Sequence, residues 1–425
     1  MTKIKIHNFR QISDAEIEIK DFLLLIGEQA SGKSTIAKLI YFFKSINHRL
    51  YSILMRFNDE EIIITEFIKD IKDYFKKSFG PFDDKAFSLT FSYSRKNDIS
   101  INNTNEGIEI NINKDYKHSI QRVVKQYLKS LSAIKYAIDP DGNKAELAYA
   151  ATEEIFSASK NFVFLPAGRG ITVSYSERFQ QDFFALLGDD SLDDVILKAF
   201  MRHSKGLIDY FSKQDGFNEL TKDDKFHKLI NNYVSNVLKG KYDSQGYEKI
   251  YYSENESIPL KRSSSGQQES VRIIQDAIYI LEKGQKVSRI IEEPEAHLFP
   301  KAQDALVKLL VLIFNQLHSQ LIITTHSLHV LASFNNLLYY TKKLKRLPER
   351  RSEIEQVFNT NGLREEEKLN INPDKFQAYW LDTNSDVYCK TIFDLEDAKE
   401  LIGDNAIDLA SNEIFGDFDK LYDID

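Results

Sequence analysis

The chain has 425 residues, with 56 Lys and Arg against 64 Asp and Glu, which gives a formal net charge of −8. Apolar residues make up 42% and charged residues 28%, so a fibrous or wholly disordered protein is excluded. This length predicts two or three structural units. The single cysteine, Cys389, cannot form an intramolecular disulfide. The N-terminus also has no apolar leader, and no apolar stretch is long enough to span a bilayer; we therefore expect a cytoplasmic protein without a membrane partner.

The acidic excess lies at the end of the chain. Residues 394–425 contain eleven acidic residues and two lysines, so residues 1–393 are close to neutral. The net charge therefore does not exclude DNA as a partner of the main body. We expect the acidic tail to be a solvated terminus, and the alternative is a docking segment for a partner protein.

The first 45 residues predict strands, a glycine-rich loop and a helix. Alternation of apolar and polar residues around Ile4 and around Ile17 is typical of two short, half-buried strands. The continuous apolar run at 22–26 indicates a strand covered on both faces. Apolar residues at i, i+3, i+4 and i+7 from Ile36 to Phe43 then predict a helix.

Further along, helical and strand patterns alternate without an internal repeat. The predicted elements are, in order, strands at 87–93 and 99–112, a helix at 119–138, a strand at 161–165, helices within 190–240, a strand near 250–260, a helix at 266–284 capped by Gly284, and strands at 287–291 and 321–324 separated by a helix at 301–317.

Residues 27–35, Gly-Glu-Gln-Ala-Ser-Gly-Lys-Ser-Thr, match the phosphate-loop pattern G-x-x-x-x-G-K-[ST]. The glycines let backbone N–H groups face a polyphosphate, and the following helix adds its positive end. Lys33 would reach the β- and γ-phosphates, and the Ser34 hydroxyl would ligate Mg²⁺. The loop also lies in the required context, between a buried strand and a helix. The predicted nucleotide-binding residues here are Gly27, Gln29, Ala30, Ser31, Gly32, Lys33, Ser34 and Thr35.

Glu292 and Glu293 end another apolar strand. One carboxylate at such a position can hold Mg²⁺, and the next can orient or activate an attacking water. Acids at strand ends are also common as simple caps. Beside a phosphate loop, the functional interpretation is favoured.

Two more polar segments lie where they could contact phosphate, one after a strand and one at the start of a helix. His326 comes directly after an apolar strand, where its imidazole would hydrogen-bond a γ-phosphate. Residues 263–269, Ser-Ser-Ser-Gly-Gln-Gln-Glu, open an amphipathic helix, and small hydroxyls with a glycine at a helix N-terminus form an anion site. An ordinary N-cap by Ser264 or Ser265 explains this segment equally well, and local chemistry does not separate the two.

Taken in order, these motifs resemble those of the ABC-type ATPase heads of the RecF, SMC and OLD group, among the bacterial AAA family ATPases. The resemblance covers residues 1–46 and about 253–334, with Asn8-Phe9 before the phosphate loop and Leu165-Pro-Ala-Gly-Arg169 at a strand end also matching. It implies an α/β P-loop ATPase head, a mixed sheet with flanking helices, carrying helical insertions and a C-terminal α+β extension. The chain also resembles the Septu ATPase subunit, a stand-alone ATPase that partners a separate nuclease in anti-phage defence.

The resemblance implies roles for the motif residues. Glu292 would be the Walker B magnesium carboxylate and Glu293 the catalytic one. His326 would be the switch residue, and Lys33 would stabilise the transition state. The cofactors implied are ATP and Mg²⁺.

The signature segment implies a second subunit. Ser264, Gly266 and Gln267, with Ser265 between them, would cap ATP bound to a partner, which requires a head-to-tail homodimer or a higher homo-oligomer. Two residues depart from the family pattern: Ser265 replaces the first signature glycine, and Glu292 replaces the usual aspartate. For the glutamine loop, Gln180 and Gln181 are the candidates.

The motif positions predict one ATPase head that is split by insertions. The predicted segments are 1–45, 156–185 and 249–335 for the head, 46–155 for an α+β insertion, 186–248 for a helical arm and 336–425 for a C-terminal extension with the acidic tail.

The resemblance implies an ATPase that regulates an effector, a separate nuclease, in bacterial anti-phage defence. One alternative is an ATP-gated DNA-binding or DNA-repair clamp of the RecF/SMC type, for which the basic run within 342–351 would touch DNA unless it is a solvated helix face. The other is an OLD-type ATP-dependent nuclease, although the acids near the C-terminus lack the preceding apolar strands of such a domain. We reject a GTPase, because no buried strand precedes the T-K-x-D-like residues 221–224, and a transporter ATPase, because it would not need the long insertions.

Overall fold

The computed structural model describes residues 2–82, 85–133, 140–156, 162–174, 183–188, 191–214, 217, 224–393 and 401–403. The glutamine-loop candidates Gln180 and Gln181, residues 221–223, and all of the acidic tail except 401–403 lie outside these ranges. Within them, no helix has the length and apolar character needed to cross a membrane.

The described chain alternates between strands and helices. The strands are β1 (Lys3–Phe9), β2 (Ile12–Glu18), β3 (Phe22–Gly27), β4 (Phe87–Ser92), β5 (Asp98–Thr104), β6 (Gly107–Ile112), β7 (Phe162–Leu165), β8 (Lys241–Asp243), β9 (Lys249–Tyr251), β10 (Ser257–Pro259), β11 (Ser288–Glu292), β12 (Gln320–Thr325), β13 (Phe376–Leu381) and β14 (Cys389–Thr391). The α-helices are α1 (Lys33–Arg56), α2 (Glu60–Phe79), α3 (Lys114–Ala133), α4 (Pro140–Phe156), α5 (Ile171–Ser174), α6 (Leu192–Ser212), α7 (Lys225–Leu238), α8 (Ser265–Lys283), α9 (Pro300–Gln316), α10 (Leu328–Arg346) and α11 (Arg351–Gln356).

The central sheet has six strands in the order β14-β13-β3-β12-β11-β7. All neighbours pair in parallel except β14, which is antiparallel to β13 at the edge. Every residue of β3 and of β11 is buried, because helices cover both faces of the sheet. The carboxyl ends of β3, β11 and β12 therefore meet at one edge, where ligands bind in open α/β sheets. The predicted α/β class, a mixed sheet with flanking helices, is confirmed.

A second, antiparallel sheet has the order β2-β1-β4-β5-β6, and β8, β9 and β10 form a small third sheet. Residues 99–112, predicted as one strand, instead contribute to two, since the chain reverses at residues 105–106 between β5 and β6. The reversal places Ile101 opposite Ile110, so that both strands keep their apolar residues on one face.

Both sheets join parts of the chain that the sequence analysis assigns to different segments. β1, which has β2 on one side, pairs on its other side with β4 from the α+β insertion, and β13 from the C-terminal extension pairs with β3 of the head. The register of the second pairing runs from Phe376 opposite Phe22 to Leu381 opposite Gly27. The six-segment division itself stays a prediction.

Three residues of the basic run within 342–351 are buried or paired within the protein. Lys342 is buried, with 8% exposure. Arg350 pairs with Glu353 at 2.6 Å and Arg351 with Glu355 at 2.7 Å. At these three positions the structure favours a role in the protein's own packing and ion pairing over contact with DNA phosphates.

Candidate functional site

The phosphate loop leaves β3 at Gly27 and enters α1 at Lys33. Ala30 and Gly32 have left-handed backbone conformations, with φ of 63° and 94°. Turns of this kind align successive N–H groups into a concave anion site. Gly32 is the N-cap of α1, so the first free N–H groups of that helix face the same site. The exposed Ser34 lies in the first turn.

The side chain of Lys33 is folded against its own loop. Its Nζ donates to the carbonyl oxygens of Gly27 at 2.7 Å and Glu28 at 2.6 Å, and the residue is only 6% exposed. Burial lowers the pKa of Lys33, and the negative charges of Glu293 and Glu295 oppose that shift. The ammonium group is therefore electrostatically coupled to the carboxylates at the end of β11.

Those carboxylates are buried but incompletely paired. Oε2 of Glu292 accepts a long hydrogen bond from the N–H of Ala167 at 3.4 Å, whereas its Oε1 has no partner among the residues described. Glu295 is 4% exposed, and within the same ranges its Oε2 also lacks a partner. An unpaired buried carboxylate oxygen is costly, which indicates a cation-binding position.

Glu293 and His326 face each other across the ends of β11 and β12. Glu293 has φ of 42°, and its N–H donates to the carbonyl of Thr324 at 2.9 Å. Nδ1 of His326 lies 3.7 Å from an oxygen of Glu293 and 3.7 Å from Oε1 of Glu295. Both side chains are partly exposed, at 37% for Glu293 and 56% for His326, so they can contact a bound ligand.

Glu295 fixes the segment that carries the histidine. Its Oε1 accepts from the hydroxyl of Thr325 at 2.5 Å and from the N–H of His326 at 3.1 Å. The sequence analysis did not single out this residue. The signal was available, because Glu295 is a third acid only two residues beyond the Walker B pair.

Arg169, also not assigned a role from sequence, is fully buried at the centre of the site. Its guanidinium donates to the carbonyl oxygens of Glu292 at 2.7 Å, Glu293 at 3.0 Å and Glu269 at 3.0 Å. The carboxylate of Glu269 accepts in return from the backbone N–H of Arg169 at 2.9 Å. Arg169 therefore ties the end of β11 to α8, which we call the signature helix.

The signature segment forms a reciprocal cap. Ser264 is the N-cap of the signature helix: its Oγ accepts from the N–H of Gln267 at 3.4 Å, and its own N–H donates to the Gln267 side chain at 3.0 Å. Gly266 is required by close packing, since a Cβ there would lie 2.5 Å from the carbonyl oxygen of His297. The N-cap interpretation is therefore present in the structure, and the contact of residues 264–267 with a second subunit stays a prediction. Ser264 and Ser265 remain exposed.

The donor set fits magnesium only if the nucleotide completes it. No cluster of three or more His, Cys, Asp and Glu residues able to hold a metal occurs in the described parts of the chain. Mg²⁺ is usually bound by one or two carboxylates together with substrate phosphates and water. The unpaired oxygen of Glu292 and the exposed hydroxyl of Ser34 match that requirement.

These features define an ATPase domain of the P-loop class. Residues 1–331 match the model of the AAA ATPase domain family AAA_15, and the chain belongs to this family. The predicted membership of an AAA family of ATPases is therefore confirmed.

Among individual proteins, the chain is 35% identical over 134 residues to Endonuclease GajA of Bacillus cereus strain HuB5-5. That alignment spans 26% of this chain and 18% of GajA, less than a fifth of the relative. The SMC head domain from Thermotoga maritima is 11% identical, with 78% of this chain and 90% of that chain covered and a TM-score of 0.33. The recombination mediator protein RecF is 11% identical, with 92% and 97% covered and a TM-score of 0.34.

Proposed function

We propose that the chain binds ATP with Mg²⁺ at the phosphate loop and hydrolyses it by in-line attack of water. The observation that carries the proposal is the meeting of three strand ends at one edge of the parallel sheet. There the phosphate loop after β3, the carboxylates after β11 and His326 after β12 lie side by side.

Each residue then has a defined task. Lys33 would exchange its contacts with the loop carbonyls for the β- and γ-phosphates, and Glu292 with Ser34 would hold the metal. Mg²⁺ supplies neutralisation of the phosphate charge when it is bound. Glu293 would orient the attacking water, and His326, held by Glu295, would contact the γ-phosphate.

We further propose that two copies dimerise head to tail around two ATP molecules. In support, the N-terminus of the signature helix is exposed at Ser264 and Ser265, in an orientation held by the bond from Gln267 to the carbonyl of Leu238 at 2.6 Å. The apolar side chain of Phe299 is 76% exposed, two residues beyond the contact between Gly266 and His297. A partner head would cover both features.

The effector that this switch controls is proposed to be a separate nuclease in anti-phage defence. The support is the resemblance to the Septu ATPase and the partial match to an endonuclease, GajA. The alternatives are an ATP-gated DNA clamp and an ATP-dependent nuclease of the OLD type. Incubation of the purified chain with DNA, Mg²⁺ and ATP separates them: cleavage by the chain alone would support the nuclease, and ATP-dependent DNA retention without cleavage would support the clamp.

The ATP site is tested by Lys33→Ala. Loss of the ammonium group should abolish ATP binding, measured with a fluorescent ATP analogue, and with it phosphate release. Lys38→Ala is the matched control, because Lys38 lies on the same helix but pairs with Asp193 at 2.7 Å. Undiminished ATP affinity in the Lys33 variant would contradict the site assignment.

A further inference from the structure

The chain beyond β13 packs against the outside of the phosphate loop. β13 runs beside β3 until Leu381 lies opposite Gly27, where the phosphate loop begins. Residues 382–388 then form a closed loop, in which the N–H of Asp382 donates to the carbonyl of Tyr388 at 2.9 Å. The side chain of Asp382 also accepts from the N–H of Asn384 at 2.8 Å.

This loop delivers the side chain of Tyr388 to the phosphate loop. Tyr388 is 3% exposed, and its hydroxyl donates a hydrogen bond to the carbonyl oxygen of Ser31. A Cβ on Gly32 would overlap the same hydroxyl, and a Cβ on Gly27 would overlap the carbonyl oxygen of Leu381. Both glycines of the motif are therefore in close contact with residues 381–388.

The bond to Ser31 fixes one peptide group. A trans peptide is planar, so the carbonyl of Ser31 and the N–H of Gly32 point in opposite directions. The carbonyl is directed to Tyr388, and planarity therefore directs the N–H of Gly32 away from that side chain, toward the inner side of the loop. That inner side is where the N–H groups of a phosphate loop cradle the α- and β-phosphates.

The peptide needs such a constraint because of its sequence. Glycine has no Cβ and adopts positive and negative φ about equally readily, so a flip of the Ser31–Gly32 peptide is inexpensive. Gly32 has φ of 94° in the structure. A flip would turn a carbonyl oxygen toward the phosphates, where its negative end opposes binding.

We propose that Tyr388 is a positioning residue of the nucleotide site: its hydroxyl holds the Ser31–Gly32 peptide with the Gly32 N–H toward the phosphates. The inference rests on the proposed function. It also makes the segment after β13 a part of the ATP site, although that segment lies outside the residues that match the family model.

The test is Tyr388→Phe with Tyr379→Phe as the matched control. Tyr379 is a buried tyrosine on β13 whose hydroxyl accepts from the backbone N–H of Glu18 at 2.9 Å. Both variants lose one hydroxyl bonded to backbone and keep the ring, so they should lose similar thermal stability. Only the Tyr388 variant should bind ATP and ADP more weakly, by about three- to tenfold, which is the value of one hydrogen bond. Its KM for ATP should rise with little change in kcat.

The outcomes are distinguishable. If the wild-type chain binds no ATP, the proposed function fails before the variant is considered. If wild type binds ATP and Tyr388→Phe binds it equally well, the positioning role is wrong and the proposed function stands. Equal weakening in both tyrosine variants would also overturn the inference, because it would reflect the general stability of the sheet.

Discussion

Buried acidic side chains occur in two regions of this protein, and their environments differ. In the first region, beside the signature helix, Asp276 and Glu248 are paired with basic side chains. The carboxylate of the buried Asp276 accepts from Nε of Arg289 at 2.7 Å and lies 2.8 Å from Nε2 of His203, and the partly buried Glu248 accepts from the buried Arg272 at 2.7 Å.

At the carboxyl edge of the sheet, Glu292 and Glu295 are as deeply buried, yet each leaves one oxygen without a partner in the described structure. Pairing in the first region serves the fold, because a buried charge is tolerated when a counter-charge satisfies it. Missing partners in the second region indicate a place kept for a ligand. Burial alone therefore does not identify a functional acid; at Glu292 and Glu295 the unpaired oxygen and the position at the carboxyl edge of the sheet together do.

The largest expected effect is on the rate of ATP hydrolysis, and it arises from a substitution at the carboxyl edge of the sheet. Glu293→Gln should lower the rate of ATP hydrolysis by about 10²- to 10⁴-fold, because the group that orients the water loses its charge. ATP binding should persist and trap the nucleotide-bound state. The measurement is phosphate release alongside nucleotide binding, and normal turnover would show that Glu293 is not the catalytic carboxylate.

A substitution in the paired region should instead lower the free energy of unfolding. Asp276→Asn leaves Arg289 buried without its counter-charge, and we expect the free energy of unfolding to fall by about 3–5 kcal/mol in urea denaturation. Glu353→Gln is the control, since it breaks a surface pair with Arg350 and should leave unfolding unchanged. An equal loss in both variants would contradict the distinction.

The loss of stability caused by Asp276→Asn should depend on pH. Burial opposes ionisation of Asp276, but the charge of Arg289 and the contact with His203 outweigh it and hold the pKa of Asp276 well below its usual range. A depressed folded-state pKa contributes stability above the unfolded pKa of about 3.9, and this contribution is lost as pH falls below it. The gap between wild type and Asp276→Asn should therefore narrow below about pH 4, and a gap independent of pH would argue against the ion pair as its cause.

The smallest effect on stability is expected at the unpaired site. Glu292→Gln removes a buried charge that lacks a full set of partners, so without nucleotide the free energy of unfolding should stay unchanged or rise by up to about 1 kcal/mol. The additional stabilisation by ATP with Mg²⁺ should shrink, measured as the ligand-induced shift in Tm. A loss as large as that of Asp276→Asn would place Glu292 with the paired acids.

Local sequence patterns predicted the parts of the site that are contiguous in the chain. The phosphate loop lies between β3 and α1, and Glu292 ends β11, as their apolar runs indicate. The signature helix ends at Gly284 in the left-handed conformation expected of a cap. The roles of these residues stay predictions.

Long-range pairing was not predictable in the same way. No local signal shows that β13 pairs with a strand some 350 residues earlier, so the contact of Tyr388 with the phosphate loop could not be anticipated. Arginine is rarely fully buried unless it is paired, so the central position of Arg169 was missed as well. Its hydrogen-bond acceptors are mostly backbone carbonyl oxygens. Every residue has such a carbonyl, so the sequence does not indicate which of them Arg169 contacts.

The place of β13 in the sheet has a consequence for how the chain must be made. The strand next to the phosphate loop acquires its second neighbour only after residue 381 has been synthesised. Until then β3 is an open edge with unpaired N–H and C=O groups, the kind of surface that invites aggregation. A fragment ended at the family boundary, residue 331, would keep that edge permanently. The part of the chain needed to complete the sheet of this ATPase domain therefore extends well past its recognisable motifs.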